Sequence, residues 1–440
     1  MPPVHPERAQ RVEGPAPAVV AYHVRSGIVS LNVVTGALAA ADDTAATDVH
    51  FVRSPNEMAA TITALAAAGR PVLAAWSFYS TDFTRTAADL ARVRATTPAG
   101  AALHVAGGVH ATSEPAATLR AGWDLVAIGE GEATLVALVR ALAAGESPRA
   151  IAGTAHLAAN DGALTTTGAA PRLPLDTFPP FNARDGRWNA IEITRGCIYA
   201  CSFCQTPFMF KARFRHRPVD DVVRWVRVMV EQGGRYVRFL TPTALSYGSP
   251  DERVDLAAVD ALLGAVRAAL PAGGKLYFGT FPSELRPEHV TPEAMAVLAR
   301  WVDNRHLVLG GQSGSPRVLA AMRRGHDVAA VERAGAVAVA AGFVPDVDLL
   351  LGLPGEEPDD QALTMQLARR LTDAGARIHS HAFMPLPGTP LKDAQPAPIV
   401  PDVAAALTAL EGRAATYGQW RAQTTAAAEL VQLRRGPRSP

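Results

Sequence analysis

The chain has 440 residues, enough for two or three domains that each bury a core without covalent help. Its formal net charge is +1, so no global field draws it toward nucleic acid. The proline-rich, charged start (residues 1–14) is not an apolar signal segment, and no uninterrupted apolar run is long enough to span a bilayer, so a cytoplasmic location is expected.

From residue 18 to about 142, short β-rich runs alternate with Ala- and Leu-rich stretches. This predicts a parallel sheet with helices on both faces, an α/β domain over residues 15–150. Strands are expected at 18–24, 49–52, 72–77, 102–106 and 125–128. The third runs into Ser77-Phe78-Tyr79-Ser80, the fourth into Gly107-Gly108-Val109-His110-Ala111-Thr112 and the fifth into Gly129-Glu130-Gly131-Glu132. Such turns at strand carboxyl ends are where open α/β sheets bind ligands, although any one glycine can simply serve a tight turn. Residues 151–188 read as a linker: a β-rich stretch at 153–167, then Pro171, Pro174, Pro179 and Pro180, the adjacent pair holding the chain extended. Residues 189–395 alternate again, with room for about six units of a (β/α) barrel rather than eight. Ala-rich runs such as 331–341 read as packed barrel helices. Residues 396–440 predict a helical extension, with one or two helices over 401–425 and a solvated basic tail, Arg434-Arg435-Gly436-Pro437-Arg438.

All three cysteines lie in one stretch, Cys197-Ile198-Tyr199-Ala200-Cys201-Ser202-Phe203-Cys204. Three thiolates spaced in this way can hold three irons of a [4Fe-4S] cluster and leave the fourth open to a ligand. A zinc site completed by a distant histidine such as His216 is the plainer alternative, although paired two-residue spacings are more usual for zinc. A disulfide framework does not suit three cysteines in a chain of this length. The strand that delivers this loop is expected at 190–194, and carboxyl ends of barrel strands are where catalytic groups belong.

The cysteine spacing, with Phe203 just before the last cysteine, resembles the cluster motif of the radical S-adenosylmethionine (SAM) enzymes. The turn at Gly107–Thr112 followed about twenty residues later by Gly129-Glu130-Gly131-Glu132 resembles the cobalamin-binding domain that precedes the barrel in cobalamin-dependent members. With Thr194-Arg195-Gly196-Cys197 and Phe214-Arg215-His216-Arg217, the likeness extends over nearly the whole chain and points to a subgroup of largely unassigned activity. It implies a Rossmann-like cobalamin-binding domain, a partial (β/α)6 TIM-type radical SAM barrel and a short helical C-terminal region. Ser77, Gly107, Gly108, His110, Gly129 and Gly131 are the positions implied to face the corrin, which approaches backbone closely only where no side chain intervenes. Members that ligate cobalt from below carry Asp-x-His-x-x-Gly after the first strand. Here the stretch reads Ala21-Tyr22-His23-Val24-Arg25-Ser26-Gly27, so the carboxylate that would orient the imidazole is missing and the glycine is displaced by one; His23 reads as a plain strand-end histidine, with cobalt ligation as the alternative.

For SAM, the resemblance implies Thr241 and Pro242 at the methionine amino group, through their carbonyls in a turn that departs from the family's glycine and glutamate pattern; Tyr247 nearby could equally be a packed aromatic. Ser283 or Glu284 would bond the ribose hydroxyls, Glu284 preferred because a carboxylate accepts from two at once; its alternative is an ion pair with Arg286. Gln312 and Arg324, twelve residues apart, match an amide and arginine that contact the amino acid end of SAM, where a guanidinium fork fits a carboxylate, unless Arg323 and Arg324 are only a solvated helix end. Gly352 and Leu353 would lie beside the adenine. His379 and His381, two apart on one strand, share a face; they could meet substrate or a metal, or be satisfied rim histidines.

The implied activity is methyl transfer from SAM via methylcobalamin to an unactivated carbon of a small molecule, with ring contraction, cyclisation or rearrangement as the rival and a cobalamin-responsive regulator as the non-enzyme reading. The implied cofactors are a [4Fe-4S] cluster, SAM and cobalamin. The implied partners are a small-molecule substrate and an electron donor such as flavodoxin or ferredoxin, with no nucleic acid, the chain acting as a monomer.

Overall fold

The structure, a computed structural model, describes residues 15–211 and 213–435; the start at 1–14 and the tail from 436 onward lie outside the described residues. The chain divides into two compact units: residues up to 172 with 184–187, and residues 173–183 with 188 onward.

The first unit is built on seven strands: β1 (Ala18–Tyr22), β2 (Asp48–Val52), β3 (Val72–Ser77), β4 (Leu103–Gly107), β5 (Leu125–Ala127), β6 (Thr154–Leu157) and β7 (Leu164–Thr166), in the order β2-β1-β3-β4-β5-β6-β7. The first five are parallel and the last two antiparallel. Every residue of β1 and β3 is buried, as expected for parallel strands covered on both faces, whose sequences run almost continuously apolar. Helices Ile28–Ala40 and Glu132–Ala144 pack together, as do Pro55–Ala67 and Phe83–Thr96. The order 2-1-3-4-5 places a topological switch point between β1 and β3, where such sheets open a crevice beyond their carboxyl ends.

The stretch expected as a linker, 151–188, is divided between the units. Its β-rich stretch at 153–167 supplies β6 and β7, an antiparallel hairpin that extends the first unit's sheet. Residues 173–183 belong to the second unit, where Phe181 is fully buried and the carbonyls of Leu173 and Phe178 accept from Arg215 and Arg217.

The second unit carries β8 (Ile191–Glu192), β11 (Tyr236–Leu240), β12 (Lys275–Tyr277), β13 (His306–Gln312), β14 (Val344–Leu351), β15 (Arg377–Ala382) and β16 (Thr416–Gly418), with a two-strand ladder of β9 (Thr194–Arg195) and β10 (Arg215–His216) set off from them. Parallel strands order as β12-β11-β8 and as β13-β14-β15-β16. A parallel bridge from Leu285 to Leu309 joins the two groups. The result is six strands of a partial barrel plus one more. Its core includes Ile191, Phe239, Phe278, Leu309, Val347 and Ile378. The Ala-rich helix Val328–Ala340 buries Ala330, Val331, Ala334 and Ala338 in it. The helical C-terminal region consists of Pro401–Gly412 and Trp420–Arg435, joined by β16. Val403, Leu407 and Trp420 are in the barrel core, so this region completes the barrel. Among the described residues no helix is long and apolar enough to cross a membrane.

Candidate active site

The cysteine loop leaves β9 and returns at β10, antiparallel to it, with Arg195 opposite Arg215 and Thr194 opposite His216. Gly196 starts the loop at φ 84°. A Cβ there would lie 2.0 Å from the Arg213 carbonyl oxygen, so only glycine lets the two arms close. Cys197 and Cys201 are buried, Cys204 is half-buried, and none is in a disulfide. Burial pushes the Cys197 thiol up to about 12 and raises that of Cys204. Thiolates in such a place need positive charge, which a bound metal supplies outright. Two guanidiniums already contribute: Arg324 Nη1 is 3.3 Å and Arg286 Nη1 4.0 Å from Cys201 Sγ. The donor set therefore fits a thiolate-bound metal centre. His216 does not complete a zinc site. Its Nδ1 meets Thr194 Oγ1 at 2.9 Å and its Nε2 meets the Ser249 carbonyl at 2.8 Å, so both ring nitrogens are engaged.

Other segments hold the loop. Ser202 N–H donates to the Met322 carbonyl (3.1 Å) and Gln205 Nε2 to the Pro387 carbonyl (2.7 Å). Phe203 packs on a buried cluster of Val318, Met322, Leu350, Leu353 and Phe383. Arg286 lies 3.6 Å over the Tyr199 ring, donates to Glu288 Oε1 at 2.5 Å and donates to the Arg324 carbonyl. Tyr199 Oη meets His289 Nε2 at 3.0 Å. Burial opposes ionisation of Glu288, yet His326 and Arg286 outweigh it and hold the carboxyl at about 2.

Three of the residues expected to hold SAM meet around Gly310. A Cβ on that glycine would lie 2.9 Å from Arg324 Nη2, 3.1 Å from Gln312 Nε2 and 3.8 Å from Glu284 Oε2. Gln312 has φ 69° at an irregularity in β13, a left-handed conformation uncommon outside glycine. Arg324 is buried rather than solvated. Its Nη2 donates to the Gly310 carbonyl (2.6 Å), while its buried Nε has no partner. Burial foremost, then Asp348, raises the Glu284 carboxyl against the pull of Arg324 and His381. The ion pair that might have tied Glu284 to Arg286 does not form, since Arg286 turns to Glu288. Thr241 and Ser283 form a parallel bridge. Thr241 Oγ1 donates to the Thr243 carbonyl (3.1 Å), Pro242 is half-buried, and Ser283 Oγ is buried without a partner. Tyr247 is a packed aromatic, its hydroxyl donating to the Arg217 carbonyl at 2.8 Å.

Gly352 and Leu353 are less open than their implied role requires. Both amides donate to Glu356 Oε2, at 2.6 and 3.3 Å, and the Gly352 carbonyl accepts from Ala397 N–H at 3.0 Å. Leu353 is fully buried. The backbone edge expected to read adenine is therefore largely taken by the turn itself.

In the first unit, Ser77 closes β3 and Gly107 closes β4 in register with it. A Cβ on Gly108 (φ 89°) would lie 2.8 Å from Ser77 Oγ, and one on Gly27 would lie 2.6 Å from the Ser77 carbonyl oxygen. Ser77, Gly107 and Gly108 are thus brought together. Gly129 (φ 82°) donates its N–H to Thr112 Oγ1 at 3.0 Å and a Cβ there would meet nothing within 4 Å, whereas Gly131 adjoins Val34. His110 is displaced from its expected role. Its ring is 4% exposed, stacked on Phe83 at 4.2 Å and bonded to Ser80 Oγ at 3.1 Å, so apolar packing has drawn it into the core. His23 is buried, its Nε2 2.7 Å from Asn32 Oδ1, and burial lowers its pKa.

Arg286, Tyr199, His289, Gly27 and Asn32 were not legible as site residues. Tyr199 could have been suspected from its place between two cysteines; the others owe their positions to tertiary contacts.

The site's architecture is that of an α/β partial barrel presenting a three-cysteine loop at its strand ends. Residues 191–368 match the Radical SAM superfamily. The fold is similar to that of the radical S-adenosylmethionine methyltransferase TsrM from Kitasatospora setae, solved with cobalamin and a [4Fe-4S] cluster bound (TM-score 0.64, 17% identity, 86% of this chain and 74% of that one). It is also similar to that of the cobalamin-dependent S-adenosylmethionine radical enzyme OxsB, solved with aqua-cobalamin (TM-score 0.63, 15% identity, 80% and 52%). The chain thus carries a radical SAM domain and has the fold of cobalamin-dependent radical SAM enzymes. In sequence it matches tRNA-2-methylthio-N(6)-dimethylallyladenosine synthases from Leptothrix cholodnii (33% identical over 221 residues, 49% of this chain and 45% of the relative) and Halorhodospira halophila (32% over 236 residues, 51% and 48%). The chain spans about half the length of these curated relatives.

Proposed function

We propose that the chain is a cobalamin-dependent radical SAM enzyme that transfers a methyl group to an unactivated carbon of a small molecule. The observation that supports this most is the junction at Gly310, where Gln312, Arg324 and Glu284 converge while Arg324 also touches Cys201. Cys197, Cys201 and Cys204 would hold a [4Fe-4S] cluster. Arg324 and Gln312 would hold the amino acid end of SAM, the guanidinium fork matching a carboxylate, and Glu284 would accept from its hydroxyl or ammonium groups. Of the turns implied to face the corrin, the one at Gly129 leaves open space that a flat macrocycle could approach, while the room beside Gly108 is taken by Ser77 and Phe78. When bound, these cofactors supply one-electron cleavage of SAM and a carrier for its methyl group; the protein's part is to bind, orient and exclude water. His23, committed to Asn32, would not ligate cobalt. A flavodoxin or ferredoxin would deliver the electron to the monomer, in the cytoplasm.

The test is anaerobic incubation of reconstituted protein with cobalamin, SAM and reductant. S-adenosylhomocysteine together with deoxyadenosine supports methyl transfer, and deoxyadenosine alone supports rearrangement or cyclisation. Intact SAM in a preparation that holds about four irons would overturn the radical SAM reading. The curated relatives favour a second reading, methylthiolation of tRNA. Against it stand a net charge of +1, which gives little general attraction to phosphate, and the confinement of every cysteine to one loop. Mass spectrometry for 2-methylthio-N(6)-dimethylallyladenosine in tRNA incubated with the enzyme separates the two.

A further inference from the structure

Asp348 on β14 and His379 on β15 are directly paired in the parallel register, and His381 follows on the same face of β15. Three donor atoms converge there. His379 Nδ1 is 2.8 Å from Asp348 Oδ1, His381 Nε2 is 3.1 Å from His379 Nδ1, and His381 Nε2 is 3.6 Å from Asp348 Oδ1. These are the edges of a triangle that a metal ion would span: bonds of about 2.0–2.1 Å in tetrahedral geometry place neighbouring ligand atoms about 3.3 Å apart.

Hydrogen bonds alone leave the triangle frustrated. Gln423 Oε1 accepts from Ala382 N–H at 2.9 Å, which fixes the amide so that its Nε2 donates to His381 Nδ1 at 3.3 Å. In the neutral ring the proton of His381 is then on Nε2, directed at His379 Nδ1. If His379 Nδ1 accepts it, no proton lies between that nitrogen and the Asp348 oxygen 2.8 Å away. If His379 is instead protonated at Nδ1 to satisfy Asp348, the two N–H groups stand 3.1 Å apart and must share one carboxylate oxygen, which His381 reaches only at 3.6 Å. A cation at the centre relieves both conflicts, because all three atoms then offer lone pairs to it. The histidine side chains are about a quarter exposed, 25% and 26%, so an ion can enter. Glu284 lies within electrostatic reach of both Asp348 and His381.

We propose that Asp348, His379 and His381 form a second metal site, distinct from the cysteine loop, for a divalent first-row transition ion of the zinc or ferrous type, as two imidazoles and one carboxylate with open positions favour. With the ion bound, His381 carries its proton on Nδ1 and Gln423 turns its amide to accept it. Gln423 is thus a positioning residue, and a poor one, because its oxygen is then drawn away from Ala382. A carboxylate at 423 could serve both N–H groups.

The site does not depend on the proposed function and is tested without it. The full-length chain with Cys197, Cys201 and Cys204 all replaced by Ala, so that thiolates do not compete, is titrated with cobalt(II) and then zinc. One equivalent of cobalt should give visible absorption that zinc displaces. His379→Ala, His381→Ala or Asp348→Asn should weaken binding at least 100-fold with unchanged circular dichroism. Gln423→Glu should tighten it about tenfold, the scale on which such supporting groups act. Absence of a cobalt band in the folded protein, or binding that survives loss of both histidines, would overturn the proposal. If a ligand variant fails to fold, Gln423→Glu decides alone, and unchanged or weaker binding counts against the site.

Discussion

Glu356 offers the sharpest physical test of the turn after β14. Its carboxyl is 6% exposed, Oε2 accepts from the amides of Gly352 and Leu353, and Oε1 is buried without a partner. Burial raises its pKa from an ordinary 4.5 to about 7 even though the two amides favour the anion. The sign follows from which state holds the proton. Between pH 4.5 and 7 the folded chain keeps it and the unfolded chain releases it, so the contribution to stability is complete below 4.5 and is lost as the pH rises through 7. Between pH 5 and pH 8 the loss amounts to about 2.5 kcal/mol at 1.36 kcal/mol per unit.

Glu356→Gln removes this dependence, since the amide oxygen still accepts from both N–H groups and nothing ionises. The amide nitrogen then sits where Oε1 had no partner, at a cost of about 1–2 kcal/mol. The variant should therefore be less stable than the parent at pH 5 and equal or more stable at pH 8. Urea unfolding of the barrel transition at both pH values measures this, with the parent losing stability over the range and the variant flatter by about 2.5 kcal/mol. Parallel pH profiles for the two proteins would refute the assignment of a buried, proton-holding Glu356.

Replacing any one of Cys197, Cys201 or Cys204 by Ala should abolish SAM cleavage and lower iron below the expected four or so per chain, while the circular dichroism of the first unit persists; full cleavage by any of them would refute the cluster assignment. Gly196→Ala places a Cβ 2.0 Å from the Arg213 carbonyl at φ 84°, so a loss of at least about 1–2 kcal/mol is expected, with reduced iron retention by colorimetric assay. For His23→Ala the paramagnetic resonance of the cob(II)alamin-loaded protein should be unchanged and free of protein nitrogen hyperfine splitting; splitting that disappears in the variant would show that the Asn32 contact yields to cobalt.

The strands of the first unit were legible almost to the residue because β1 and β3 are buried on both faces and read as unbroken apolar runs between turn signals. β6 and β7 were read only as one β-rich stretch, 153–167, and β16 not at all, because three or four residues carry too little alternation to be resolved singly. At the site, Gln312 and Arg324 could be found because a single strand, turn and helix segment carries both. Arg286 could not be assigned. It stands two residues after Glu284 and looks like that residue's ion-pair partner, but the fold turns it onto Tyr199, Glu288 and Cys201. His110 failed in the opposite direction: its glycine-rich turn promised a ligand face, and the aromatic cluster of Phe78, Phe83 and Trp123 claimed the ring.

The cysteine loop owes little of its order to its own sequence. It has one short helix, Thr206–Met209, and a two-pair ladder at its ends. What fixes it comes from segments more than a hundred residues away, the end of helix Pro316–Ala321 and the turn after β15: the Met322 carbonyl on Ser202, Arg324 on Cys201, and the Pro387 carbonyl on Gln205. The segment that carries Met322 and Arg324 also carries Gln312, so the residue proposed to grip SAM and the contacts that position the thiols are on one rigid stretch. The native geometry of this triad therefore depends on contacts that exist only once β13 and the helix after it are packed in the barrel. Loop-closure entropy opposes such distant contacts until the surrounding core is in place. A metal bound by these thiols would therefore stabilise the packed strand, turn and helix from Gln312 to Arg324 as well as the loop itself.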